Sequence, residues 1–377
     1  MYIVASPYSD IGNLINFAIC WNSLVLIGTL NGENLISYTQ SAGNLSLYSG
    51  GYTGNGNGNG NGNGNGNGNG NGNGNGNAGD NKQSASEAIR KTSFNFSAFR
   101  THYNTLFKNS SQLSDDWLTW FIGFAEGDGA IQTYANGTRM RFVLTQKESL
   151  ILYDIKNKLN IGEVKHFPQG KSGKNNDFYR LMVDNPAHIL LLAYLFNGNL
   201  ALDLRIEQLT LWVNVLNNRF GLNTIELNST PVTVTLLDSW LSGFTDAEGC
   251  FNVSITANSR YVLGYVIKMR YLLDQKDNII LNKVYELFGF GKVTLKSGTL
   301  DVYRYTATGF KPLNDVVRYF KSFPLRTKKA LSFERWLTVH YIVSNKLHLT
   351  PEGLKEVIIL QKQINLNNSM TNKTGKA

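Results

Sequence analysis

Trp117, Trp120, Phe121 and Phe124 stand at i, i+3, i+4 and i+7, the spacing that lines one face of an α-helix. Leu237, Trp240, Leu241 and Phe244 repeat that spacing 120 residues later. A second face of each helix is small: Gly123 and Gly127 in the first, Gly243 and Ala247 in the second, four apart. Small residues at that interval let another helix backbone approach closely, and the simplest partner is the other copy. Gly129 and Gly249 stand where a helix usually stops, at C′, which places Asp128 and Glu248 at the C-terminal ends of two helices lying side by side. Alternation over Arg139 to Lys147 and over Val262 to Gln275 predicts strands.

The repeat continues beyond the helices. Arg139, Arg141, Gln146, Lys147, Gly162 and Val164 recur 129 residues on as Lys268, Arg270, Gln275, Lys276, Gly291 and Val293. Tyr179, Arg180, Phe196 and Trp212 recur 124 residues on as Tyr303, Arg304, Phe320 and Trp336. The duplication runs from about Leu113 to Asn217 and from Val234 to Val343. Each unit reads as helix, two strands, helix, two strands, then one or two helices, an α+β half-domain.

A helix C-terminus already carries partial negative charge, and two carboxylates brought together repel. A divalent cation between them reverses that sign, because hard oxygen ligands suit Mg²⁺. The strings Phe121–Gly129 (FIGFAEGDG) and Leu241–Gly249 (LSGFTDAEG), with an acid at the eighth position of both, resemble the LAGLIDADG homing endonucleases in their single-chain, double-motif form. The resemblance implies two αββαββα half-domains related by a pseudo-twofold axis, motif helices at the interface, and antiparallel sheets forming a DNA-binding saddle. It divides the chain into an apolar segment (1–53), a Gly-Asn and linker segment (54–112), half-domains at 113–219 and 234–345 joined by 220–233, and a C-terminal helix and tail (346–377).

The function so implied is metal-dependent hydrolysis of both strands of a specific DNA site, with Mg²⁺ or Mn²⁺ as cofactor, in the service of intron mobility. Asp128 and Glu248 would hold the metal, with the backbone carbonyls of Gly127 and Ala247. Gln146 and Gln275 match the family's strand-end glutamine that positions water. Lys328 or Lys329 is the candidate for the basic residue that stabilises developing charge, whereas the equivalent stretch from Ala201 to Arg205 keeps a single base, so the two sites are expected to be unequal. Glu126 and Asp246, at the sixth motif position, are expected to make helix-packing hydrogen bonds. The alternative within the family is a maturase that binds its group I intron RNA. A monomer is expected.

Charge agrees with a polyanionic partner. The formal net charge is +9, and the first 112 residues hold five Lys/Arg against four Asp/Glu, so the excess sits on the duplicated part. Arg139 and Arg141 share a strand face, as do Lys268 and Arg270. With Gln132, Tyr134, Asn252, Ser254, Thr256, Arg180 and Arg304 they form the set expected to contact DNA, since a two-stranded ribbon fits the major groove. Cys20 and Cys250 build no disulfide framework, and His102, His166, His188, His340 and His348 lack zinc-site spacing.

The chain from Gly54 to Asn77 alternates Gly and Asn, a composition that buries no core and acts as a tether. Ile11 to Leu30 is uncharged and long enough to span a bilayer, but Asn13, Asn16, Asn22 and Ser23 interrupt it, so membrane contact is expected only if these residues supply it. No Arg or Lys precedes Lys82, unlike an import or signal sequence. The resemblance to intron-encoded fungal members implies a mitochondrial location.

Overall fold

A computed structural model describes residues 26–30, 33–38, 94–108, 112–135, 137–168, 177–221, 224–261 and 263–364. The Gly-Asn tract and residues 11–25 of the apolar stretch lie outside them. Residues 26–30 form a strand, β1 (Leu26–Leu30), paired antiparallel with β2 (Glu33–Tyr38). Among the described residues no helix is long and apolar enough to cross a membrane.

The first motif helix, α2 (Asp115–Asp128), starts where Ser114 accepts from the Trp117 N–H, with Asp115 and Asp116 in the first turn complementing the helix dipole. It runs directly into β3 (Gly129–Tyr134), which pairs antiparallel with β4 (Arg139–Gln146). After α3 (Ser149–Leu159) come β5 (Glu163–Phe167) and β6 (Phe178–Val183), then α4 (Pro186–Phe196) and α5 (Asp203–Phe220). The second half repeats the order: α6 (Trp240–Glu248), β7 (Gly249–Ala257), β8 (Tyr265–Gln275), α7 (Asn278–Phe288), β9 (Lys292–Leu295), β10 (Tyr303–Thr308), α8 (Phe310–Ser322) and α9 (Lys329–Ser344). A short 3₁₀ turn and α10 (Pro351–Gln363) follow. Each half holds one four-stranded antiparallel sheet, ordered β3-β4-β6-β5 and β7-β8-β10-β9. This is the α+β double half-domain that the repeat predicts.

The two motif helices form the centre. A Cβ added at Gly123 would collide with the Trp240 carbonyl oxygen, and one at Gly243 with the Trp120 carbonyl oxygen. These reciprocal collisions show why each helix needs glycine at that position: backbone packs on backbone about the pseudo-twofold. Gly129 and Gly249 have another reason than the expected C′ turn. Their φ angles are −80° and −85°, so neither is left-handed; a Cβ there would strike the Ala125 carbonyl or the Thr245 side chain instead.

Two expectations are corrected. The apolar spacing begins the second helix at Leu237, but that helix starts at Trp240 and Leu237 is 58% exposed, because Asp238 caps the Trp240 N–H and stops the helix extending back. The linker assigned to 54–112 contains α1 (Ser97–Leu106) at its end. Phe94, Phe96, Phe99 and Tyr103 are buried in the common core. Tyr103 donates its hydroxyl to the Lys158 carbonyl at 2.9 Å, and Asn95 and Asn199 exchange two hydrogen bonds of 2.8 Å. This aromatic cluster has no counterpart in the second unit, so the repeat does not reveal it.

Candidate active site

The packed helices deliver Asp128 and Glu248 from their adjoining C-terminal ends, and Asp128 is only 4% exposed. Burial raises the pKa of both carboxyls; the Asp128 charge raises Glu248 further, while Lys329 opposes both shifts. Two buried acids side by side are hard to ionise together, and nearby positive charge favours their ionised forms. A strand-end glutamine meets each acid. Gln146 donates from Nε2 to Asp128 Oδ2 at 2.6 Å, and Gln275 donates to Glu248 Oε1 at a longer 3.4 Å while its own Oε1 accepts the Lys276 N–H.

The two candidate lysines go to different partners. Lys329 Nζ donates to the Ala247 and Thr245 carbonyls at 2.6 and 3.1 Å, at the end of α6. Lys328 points across to the first half and pairs with Glu148 at 3.1 Å. The first half answers Lys329 with Arg205, whose guanidinium donates to the Glu126 carbonyl at 2.9 and 3.0 Å and to the Gly127 carbonyl at 3.3 Å. Arg205 is buried, and burial lowers its pKa to about 10. The 124-residue spacing already places Arg205 opposite Lys329; register carries this match, which the unequal number of bases in the two stretches conceals. Gly127 and Ala247 therefore present carbonyls that already accept from a cation, and either would meet a metal only alongside it. Among the described residues no cluster of three or more His, Cys, Asp or Glu side chains could hold a metal. The donor set is two carboxylates, which suits a hard cation that takes its other oxygens from water and phosphate.

Glu126 and Asp246 do pack the helices. Trp240 Nε1 donates to Glu126 Oε2 at 2.6 Å, and Trp120 Nε1 donates to Asp246 Oδ2 at 2.9 Å. The same carboxylates accept the Ala201 and Leu202 N–H groups, both at 2.8 Å, and the Arg326 N–H at 2.7 Å. Each acid thus ties its partner helix to the segment that brings the basic residue.

The strand registers put Gln132 opposite Arg141 and Tyr134 opposite Arg139, away from buried Met140, Phe142 and Leu144. Asn252 and Ser254 oppose Arg270 and Lys268 on the matching face of the second sheet, and Thr256 lies exposed beyond them. Arg139 and Lys268 are exposed, Arg141 pairs with Asp184, and Arg270 donates to Asn252 at 2.8 Å. Two expected DNA contacts are already committed. Arg304 is bidentate to Asp274 at 2.6 and 2.7 Å, a charge pair that neutralises it, and Arg180 lies 5.1 and 5.0 Å over the Phe167 and Phe178 rings.

Comparison with known proteins agrees with this geometry. Residues 241–340 match the family model described as LAGLIDADG endonuclease. The chain is 34% identical over 298 residues to a probable intron-encoded endonuclease 4 of Neurospora crassa, covering 78% of this chain and 50% of that protein. It is 22% identical over 244 residues to an uncharacterized cox1 intron-2 protein of Schizosaccharomyces pombe, covering 63% and 69%. The chain thus spans half the length of the first of these relatives. The fold is similar to that of the LAGLIDADG meganuclease I-AabMI bound to uncleaved DNA (TM-score 0.55, 22% identity, 66% of this chain and 99% of that one). It is also similar to that of I-CpaMI (TM-score 0.52, 18% identity, 66% and 99%).

Proposed function

We propose that this chain, a double-motif member of the LAGLIDADG endonuclease family, hydrolyses one phosphodiester in each strand of a specific double-stranded DNA site. The observation that carries the reading is the pair of helix-terminal carboxylates, Asp128 and Glu248, held together by glycine-to-backbone packing and each hydrogen-bonded by a strand-end glutamine. These two side chains would hold a divalent cation, Mg²⁺ or Mn²⁺, which when bound polarises a phosphate and lowers the pKa of a water. Gln146 and Gln275 orient the carboxylates, and Lys329 and Arg205 offset their charge at the helix ends. The two basic sheet faces flank the acids and would position the duplex across them. The intron-encoded relatives support a role in intron mobility and a mitochondrial setting.

Asp128→Asn and Glu248→Gln test this. Each should stop linearisation of a plasmid carrying the joined-exon sequence while duplex binding stays within a few-fold of wild type, and chelation of divalent ions should do the same. Linearisation at the wild-type rate by either variant would remove the assigned roles.

A further inference from the structure

Beyond the strand residues, the first half builds an open cleft of about 370 Å³, lined by Tyr134, Arg139, Met140, Arg141, Asp184 and Arg219. Three arginines face one aspartate there, so the cleft keeps an excess of positive charge even after Arg141 pairs with Asp184. Arg219 belongs to no strand. It stands in the last turn of α5 and donates from Nη2 to the Thr138 carbonyl at 3.1 Å, beside the turn that joins β3 to β4. One edge of its guanidinium is therefore anchored on main chain, and the side chain is exposed. A planar fork fixed in that way is preorganised for an anion with several oxygens, such as a phosphate.

Position narrows the ligand. Tyr134, Arg139 and Arg141 belong to the sheet face that carries Gln132, at the end of β4 away from Gln146 and Asp128. Seven residue steps along the strand lead from Arg139 to Gln146, about 24 Å at about 3.4 Å per step, or roughly seven base pairs of B-DNA. We propose that Arg219, with Arg139, binds one backbone phosphate of the duplex about seven base pairs from the cleavage centre. The assignment rests on the nuclease reading and adds a contact from a helix. It is confined to the first half. At the 124-residue spacing Arg219 becomes Val343, which is buried, and Asp184 becomes Thr308, whose hydroxyl donates to the Met269 carbonyl at 3.2 Å. The two ends of a target are thus gripped differently.

The test is the salt dependence of binding by the full chain to a duplex of arbitrary sequence, because a phosphate contact is independent of sequence. Removing one phosphate contact lowers the slope of log K against log salt concentration by about 0.9. Arg219→Gln should lower it by that amount, Arg219→Lys should restore it, and both should melt as wild type does. If Arg219→Gln lowers the melting temperature, Arg139→Gln on the exposed strand position provides the same measurement and should lower the slope equally. An unchanged slope in well-folded glutamine variants, with wild type binding duplex normally, would overturn the cleft and leave the nuclease reading standing. A wild-type chain that binds no duplex would overturn both.

Discussion

Two indoles cross the boundary between the halves, Trp240 to Glu126 and Trp120 to Asp246. Glu126 is fully buried, and burial pushes its pKa up to about 7 against the opposing pull of the Leu202 N–H and the Trp240 indole. A carboxyl raised from 4.5 to about 7 penalises the folded state progressively as pH rises through that interval, because the unfolded chain ionises first. Removing a donor from the ionised form enlarges the penalty. Trp240→Phe should therefore destabilise by about 2 kcal/mol near pH 8 and by less near pH 5, where the carboxyl holds its proton; equal losses in denaturant titrations at both values would contradict the assignment. The adjacent lysines offer a sharper contrast. Lys329→Ala removes the cation at the end of α6 and should cut cleavage by about 10²-fold, whereas Lys328→Ala breaks only a half-exposed pair with Glu148 and should leave the rate within about threefold. Cleavage assays on the two variants decide between them, and a larger loss for Lys328→Ala would reverse the roles.

At the scale of elements, the motif helices touch where they have no side chains. Even alanine is too large at Gly123, since its Cβ meets a main-chain oxygen that cannot turn away. Gly123→Ala or Gly243→Ala should cost about 3 kcal/mol by overpacking and reduce cleavage more than DNA binding, because spreading the helices separates Asp128 from Glu248. Unchanged melting in both would mean that the helices do not pack through these positions. The helix α1 sets a boundary that the Gly-Asn tract conceals. A chain starting at Ser110 loses four buried aromatic residues, Phe94, Phe96, Phe99 and Tyr103, and should lose on the order of 5 kcal/mol. A chain starting at residue 92 should melt like the full protein. Equal melting of the two shortened chains would show α1 to be dispensable.

Across the whole molecule, one continuous hydrophobic core runs through both halves and includes the motif helices and both sheets. The Trp–acid hydrogen bonds and the Lys328–Glu148 pair also cross between the halves. The described residues from Phe94 onward should therefore unfold as a single unit despite the duplicated sequence. Calorimetry should record one transition whose van't Hoff and calorimetric enthalpies agree. Two separable transitions would mean that each half carries its own stability.

The sequence alone determined the duplication, the order of elements in each unit, the helix-to-helix glycines and the two acids with their glutamines. All of these repeat at fixed spacing, and periodicity is a local property that survives without coordinates. Only the tertiary structure sent Lys328 and Lys329 to different partners, because neighbours in sequence leave a helix end in different directions. It also turned Arg205 onto the Glu126 and Gly127 carbonyls, neutralised Arg304 with Asp274, and docked α1. Those outcomes depend on groups far apart in the chain, such as Arg205 and Glu126, 79 positions apart. No local pattern encodes such pairs; the close approach of two glycine-faced helices and the sheets built on them brings the partners together.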